Sequence, residues 1–145
     1  MPARFTDQEV ISGLKKKRAL SFFLDELLRG HLKIPKRIQL QYIFCTDIFL
    51  LKINQQHLGH DTLTDIITFD LSDSKDNLNG ELYISIERIK ENAGKYNVSY
   101  NDELLRVIFH GALHLCGYKD KKAADKKEMR KHEDNCLEKY KKILP

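Results

Sequence analysis

The sequence predicts an α+β protein, one small four-stranded sheet with helices packed on it. Four segments carry strand signals, and segments with helical periodicity separate them irregularly. The chain has 145 residues, of which 41% are hydrophobic, which suits one domain over residues 1–145 with a sizeable core. A candidate metal site falls on a central helix of this predicted arrangement.

The N-terminal quarter of the chain predicts a short strand followed by a long helix. Residues 4–5 are a candidate strand, and the Thr-Asp-Gln-Glu tetrad at 6–9 has the spacing of a capping box. We therefore expect an amphipathic helix from about Gln8 to Arg29. Gly30 is its predicted terminator, and Pro35 forbids its continuation.

The rest of the chain predicts three more strands and four helices. Arg37 to Cys45 alternates apolar and polar residues, as a strand does, and Thr46 or Asp47 then caps a short helix to about residue 57. Strands are predicted at 65–70 and 80–86, with a polar loop over 72–79 between them. Helices are predicted at 87–96, at 102–115 with Asn101 or Asp102 as cap, and from 123 to about 143.

A histidine pair and a following carboxylate form the candidate metal site. His110 and His114 lie one turn apart on the same face of the predicted helix. Gly117 can adopt the left-handed conformation that ends a helix, so the chain can return Asp120 to the same ion. Two nitrogens and one carboxylate oxygen leave a fourth position open, which is the plan of a catalytic zinc site.

Two other classes of metalloenzyme share this set of residues. Metzincin-like zinc peptidases have the same spacing, but they carry a Glu directly after the first His as general base. That position is Gly111 here, so the pattern disfavours proteolysis. Non-haem iron enzymes also bind their metal through two His and one carboxylate, and only metal analysis separates them from a zinc enzyme.

Charge and cysteine content indicate a polyanion partner and a reducing compartment. The net charge is only +4, but residues 15–37 contain eight basic and two acidic residues, and 118–145 contain ten and six. Such segments suit RNA, although a solvated helix face explains them equally well. Cys45, Cys116 and Cys136 form no Cys-x-x-Cys pair and are interpreted as reduced thiols. With no apolar membrane span or signal core, we expect a cytoplasmic protein without a membrane partner.

Three sequence blocks together resemble one known family. Residues 110–118 read His-Gly-x-Leu-His-Leu-x-Gly-Tyr, residues 54–69 look like a second signature block, and residues 80–85 are similar to a Gly-Asp-Ile-x-Ile-Ser strand. Met129 and Glu133 fit the family's C-terminal helix. These features resemble the YbeY family, metal-dependent endoribonucleases of bacterial ribosomal RNA maturation.

The resemblance implies a mixed sheet, one bound Zn²⁺ and single-stranded RNA as substrate. It also implies action at the 3′ end of small-subunit ribosomal RNA, contact with the small subunit and a part in ribosome quality control. By the same resemblance, His110 and His114 are metal ligands. An alternative from another class is a non-catalytic zinc-binding ribosome assembly factor, although a structural zinc normally has four protein ligands.

The chain departs from the family pattern at two places. The family usually has a third His where this chain has Asp120, but a carboxylate is still a competent zinc ligand. The family also commonly has Tyr-Arg where this chain has His57-Leu58, and that Arg is thought to contact substrate phosphate. Leu58 cannot do so. Other basic residues are then candidates for this contact: Arg88, Arg106 and Lys119.

Polar residues before the third predicted strand are candidates for orienting the substrate. They are Asp61, Thr64 and Asp65, although a simple turn explains them equally well. The sequence does not decide whether water or a ribose 2′-hydroxyl attacks the phosphodiester. The remaining histidines are interpreted as solvent-facing side chains: His31, His57, His60 and His132.

Overall fold

The computed structural model describes residues 1–33 and 35–144. Across these residues, four strands and five α-helices follow one another, with one π-helical segment, Asn54–Leu58, directly after α2: β1 Ala3–Asp7, α1 Lys17–His31, β2 Arg37–Cys45, α2 Asp47–Ile53, β3 Ile66–Asp70, β4 Asn77–Ser85, α3 Ile86–Tyr96, α4 Tyr100–Leu115 and α5 Ala123–Ile143. Within the described residues, no helix is both long and apolar enough to cross a membrane.

The four strands form one mixed sheet in the order β1-β2-β4-β3. β2 pairs in parallel with both β1 and β4, whereas β3 pairs with β4 in the antiparallel direction. Alternate residues of β2 point into the core, from Ile38 to Phe44, because successive strand side chains face opposite sides of a sheet. The predicted α+β class and the mixed four-stranded sheet are confirmed.

Helix α4 is the central helix of the core and lies against the sheet. Its Ile108 carbonyl accepts a hydrogen bond from the Tyr42 hydroxyl of β2 at 2.8 Å. A Cβ atom added at Gly111 would lie 2.4 Å from Leu82 Cδ2 and 2.8 Å from Ile66 Cδ1. Glycine therefore allows this close approach of helix and sheet, which fixes the helix face that carries the two histidines.

The N-terminal helix begins later than the sequence predicted, and the predicted capping box was wrong. Thr6, the expected cap, lies in β1 and pairs with Ile43 of β2. Sheet pairing extends to the Gln8 amide, which donates to the Phe44 carbonyl at 2.8 Å, so long-range pairing overrides the local cap. Three non-helical residues with positive φ then precede α1: Glu9 (57°), Gly13 (68°) and Lys16 (55°).

Three other predicted boundaries need smaller corrections. Helix α1 runs through Gly30 to His31. The cap of α4 is Ser99, not Asn101 or Asp102, and its Oγ accepts a hydrogen bond from the Asp102 amide at 3.1 Å. Strand β4 begins at residue 77, inside the predicted loop, because its first residues continue the parallel register with β2. The predicted bounds of β2 and α5 agree with the structure.

Candidate metal centre

The three predicted ligands lie together, two on the C-terminal half of α4 and one on the turn that follows it. One donor atom each from His110, His114 and Asp120 lie within 4.8 Å of one another. Asp120 Oδ2 is 3.2 Å from His110 Nε2 and 3.4 Å from His114 Nε2. Tetrahedral zinc with bonds of about 2.0–2.1 Å holds its ligand atoms about 3.3–3.4 Å apart, so the two separations that involve Asp120 suit one such ion.

A Schellman turn at the end of α4 directs the chain back towards the histidines. Gly117 has a φ of 101°, and its amide donates to the His114 carbonyl at 2.9 Å. The Tyr118 amide donates to the Leu113 carbonyl at 3.2 Å, which completes the motif. The predicted helix end at Gly117 is thus confirmed, and the reversal brings Asp120 beside both imidazoles.

A carboxylate on α5 holds the outer nitrogen of His110. Glu133 is buried, and its Oε2 lies 2.6 Å from His110 Nδ1, while Arg106 donates to its Oε1 at 3.2 Å. A carboxylate partner keeps the imidazole proton on Nδ1 and leaves Nε2 to face a metal. The sequence placed Glu133 in the C-terminal helix but gave no sign of this contact with α4.

The charges around His110 favour its protonated form in the absence of a metal. Burial disfavours the charged imidazole, but the hydrogen bond and charge of Glu133, with the charges of Asp120 and Asp65, outweigh burial and raise the pKa of His110. Burial also raises the pKa of the Asp65 carboxyl, and the charge of the His110 imidazole partly opposes this shift. A metal must therefore displace a firmly held proton from His110.

Two cavities meet at two of the candidate ligands, His110 and Asp120. The first has a volume of about 420 Å³ and lies between β3, the π-helical segment and α4; we call it the strand-side cavity. The second, of about 570 Å³, lies between α3, α4 and α5; we call it the helix-side cavity. Asp65, His110 and Asp120 line both, so the donor set lies at the junction of one open groove.

Three of the predicted substrate-contacting residues line this groove. Thr64 and Asp65 line the strand-side cavity, and Arg106 lines the helix-side cavity. Arg106 also forms ion pairs with Glu133 at 3.2 Å and with Asp134 at 2.7 Å. Its charge is therefore balanced by two carboxylates. The Thr64 hydroxyl, at the wall of the strand-side cavity, donates a hydrogen bond to the Ile66 carbonyl at 3.4 Å.

The other three predicted substrate residues lie outside the lining of both cavities. Arg88 forms ion pairs with Asp47 at 3.0 Å and Glu91 at 2.9 Å, and its expected contact with the substrate phosphate stays a prediction. Asp61 accepts a hydrogen bond from a side chain of the preceding π-helical segment, and Lys119 is exposed on the turn before Asp120. A sequence pattern does not reveal that Arg88 has a carboxylate partner 41 positions away.

Two of the histidines interpreted as solvent-facing have other surroundings. His60 is exposed but lines the strand-side cavity. His132 is half-buried and packs on Tyr118, with ring centroids 4.3 Å apart. His57 is exposed and makes an edge contact with Phe69 at 5.7 Å between centroids. The sequence alone did not mark His60 as a residue of the groove.

The fold and the three converging donors define an α+β protein with a candidate metal centre that opens into a groove. The family model described as endoribonuclease YbeY matches residues 5–141 of this chain. The chain belongs to the YbeY family.

Individual relatives agree with this assignment. The chain is 56% identical over 99 residues to endoribonuclease YbeY of Flavobacterium psychrophilum, a match that covers 68% of this chain and 70% of the relative. It is 50% identical over 100 residues to endoribonuclease YbeY of Cytophaga hutchinsonii, covering 69% and 70%. A solution structure of a Thermotoga maritima protein is similar with a TM-score of 0.58 and 27% identity, covering 95% of this chain and 88% of that one.

Proposed function

We propose that this chain is a metal-dependent endoribonuclease that acts in ribosomal RNA maturation. The match of residues 5–141 to the endoribonuclease YbeY model supports the reaction class. The observation that carries the proposal is the set of three donor atoms, from two imidazoles and one carboxylate, within 4.8 Å at the junction of two cavities. An open groove on both sides of such a set suits a strand that passes across it.

The finer proposals concern substrate, metal and location. We propose that the substrate is single-stranded RNA, notably the 3′ end of small-subunit ribosomal RNA, and that the enzyme contributes to ribosome quality control in the cytoplasm. The resident metal is Zn²⁺, because two His and one carboxylate with an open position form a common catalytic zinc set. The chain works as one domain over residues 1–145.

Each residue at the junction has a proposed role. His110, His114 and Asp120 hold the ion, which when bound polarises a phosphoryl oxygen and lowers the pKa of water. Glu133 orients the His110 ring through Nδ1 and is a positioning residue. Asp65 lines both cavities beside His110, where its carboxyl can accept a hydrogen bond from a substrate hydroxyl.

The peptidase alternative lacks a place for its general base. In that class the base is a Glu directly after the first His, and here this position is Gly111. A Cβ atom there would already meet Leu82 at 2.4 Å, so the position faces the sheet and has no room for a longer side chain. The non-catalytic assembly factor is disfavoured because three donors, not the four of a structural zinc site, converge among the described residues.

A cleavage assay tests the proposal. Purified protein is incubated with a labelled single-stranded RNA and with the same RNA annealed to its complement, with and without a chelator. We expect internal cleavage of the single strand, loss of cleavage with chelator and recovery when Zn²⁺ is restored. An intact single strand under all metal conditions would contradict an endoribonuclease and favour the assembly factor.

A further inference from the structure

The two cavities that meet at the candidate metal centre differ in charge. Among the described residues that line the strand-side cavity there is no Lys or Arg, and Asp65, Asp70 and Asp120 contribute carboxylates. Leu58, at the position where the family commonly has Arg, lines this same cavity with an exposed apolar side chain. The strand-side cavity therefore offers no Lys or Arg side chain to a phosphate.

The helix-side cavity, in contrast, is lined by four cationic side chains, together with four carboxylates: Asp65, Glu103, Asp120 and Glu133. Arg106 is balanced by two carboxylates, as described above. Arg130 has a carboxylate only at 3.7 Å, Glu133, and its side chain is 57% exposed. Lys126 and Lys127 are exposed, and within the described residues neither has an ion-pair partner. Three cations on α5 are thus available to a polyanion in the groove.

An aromatic ring stands at the wall of the same cavity. Tyr96, at the end of α3, lines the helix-side cavity and is 50% exposed. The Lys95 ammonium lies 5.5 Å from its ring centroid, which adds a further positive charge at this place. Proteins that bind single-stranded nucleic acids combine cationic grooves with aromatic rings on which bases stack.

We propose that the helix-side cavity binds the RNA strand immediately next to the scissile phosphodiester. Lys126, Lys127 and Arg130 contact backbone phosphates there, and Tyr96 stacks a base. The cationic phosphate contacts missing beside Leu58 are thus supplied from the opposite side of the metal centre. This inference rests on the proposed endoribonuclease function, because it takes the donor set as the place of cleavage.

Three substitutions in α5 test the inference against a matched control. The groove variant carries Lys126→Gln, Lys127→Gln and Arg130→Gln. The control variant carries the same number of charge removals on the same helix, outside the lining of both central cavities: Lys131→Gln, Lys139→Gln and Lys142→Gln. Because the net charge is lowered equally, a long-range electrostatic effect changes both variants alike.

The probe is a fluorescent single-stranded RNA, and binding to metal-loaded protein is measured by anisotropy over a range of salt concentrations. We expect the groove variant to bind the RNA at least about tenfold more weakly than wild type at low salt. The slope of log affinity against log salt should become shallower by about 0.7 for each lost phosphate contact, in total by about two. The control variant should bind within about twofold of wild type with an unchanged slope.

Equal binding and equal salt slopes for the groove and control variants would overturn the inference. Cleavage of the same RNA is followed in parallel, because cleavage by wild type tests the proposed endoribonuclease function independently of RNA binding in the helix-side cavity. Wild-type protein that binds through these cations but cleaves no RNA contradicts the proposed function alone. Wild-type protein that cleaves RNA while the two variants behave alike contradicts the groove alone.

Tyr96 is tested separately, with Tyr96→Phe as its control. Tyr96→Ala should weaken RNA binding about fivefold or more, and fivefold is the lower end of the range for loss of one stacked base. Tyr96→Phe should bind within about twofold of wild type. Thermal unfolding and metal content of each variant verify that the fold and the donor set are intact. Equal binding by the Ala and Phe variants would remove Tyr96 from the proposed site.

Discussion

The donor set joins two parts of the molecule that are held in different ways. His110 lies inside α4, its side chain is 19% exposed, and Glu133 fixes its outer nitrogen at 2.6 Å. Asp120 lies on a turn after the helix, and its side chain is 38% exposed. One side of the centre is therefore preorganised by core packing, whereas the other depends on a short chain reversal. We expect substitutions on the two sides to have different consequences for metal and for fold.

The strongest effect is expected when an imidazole is removed without disturbing the core. His114 is a half-exposed ligand candidate, so His114→Ala should leave the unfolding midpoint in denaturant close to wild type. Metal affinity should fall by more than about 100-fold, beyond the range for loss of a carboxylate that only supports a ligand. Metal titration with a competing chelator measures this change.

A full equivalent of tightly bound metal in His114→Ala would contradict the assignment of this residue. His132→Ala is a suitable control, because His132 lies outside both central cavities.

Substitutions at Asp120 test the less rigid side of the centre. Asp120→Ala should lower metal affinity strongly, because two imidazoles alone hold zinc poorly, and Asp120→Asn should fall between Ala and wild type. Asp120→His should keep the metal, since imidazole is also a zinc ligand and restores the family's usual third histidine. Chelator titration ranks the three variants, and Asp125→Ala, on the following helix, serves as control.

If wild type and all three Asp120 variants have the same midpoint in the chelator titration, Asp120 is only a surface turn residue. That result would leave the preorganised imidazoles as the whole protein contribution to the centre.

Loss of the Glu133 carboxylate should lower metal affinity less than loss of a metal ligand does. Glu133→Gln keeps the side-chain shape but removes the charge beside His110 Nδ1, so metal affinity should fall about 10- to 100-fold. Glu138→Gln, an exposed substitution on the same helix, should leave it unchanged. Equal affinity in the two variants would mean that Glu133 only packs against α4.

The pH dependence of metal binding is the most gradual of these tests. The pKa of His110 is raised above 6.5, mainly by Glu133 against the effect of burial, and metal must replace the proton on Nε2. As the pH falls, affinity should begin to decline already above pH 6.5 in wild type. In Glu133→Gln the decline should begin at lower pH. Isothermal titration between about pH 8 and about pH 5.5 follows both, and identical profiles would exclude Glu133 as the cause.

The preorganised and the returning parts of the centre were both visible in the sequence for physical reasons. The four-residue spacing of His110 and His114 has only one outcome on a helix, and Gly117 is the residue type that a helix end with positive φ favours. Adjacent signals of this kind depend on local geometry alone. The same holds for the alternation along β2 and the length of α5.

What the sequence did not reveal depends on contacts between distant segments. The capping box at Thr6 was overridden by pairing with β2, and the Glu133 contact requires α5 to pack on α4. The pairing of Arg88 with Asp47 is also a contact between distant segments that a single sequence does not show. The charge difference between the cavities likewise follows from tertiary packing, since the cations of the helix-side cavity lie on two helices, α4 and α5.

Metal content and RNA cleavage determined on the same preparations of wild-type and Asp120→Ala protein test the proposed metal-dependent endoribonuclease most directly. We predict about one equivalent of metal and cleavage of single-stranded RNA for the wild type. For Asp120→Ala we predict loss of both in parallel, with an unchanged unfolding midpoint. Full metal content in the variant, or cleavage that persists after its metal is lost, would contradict the proposed centre.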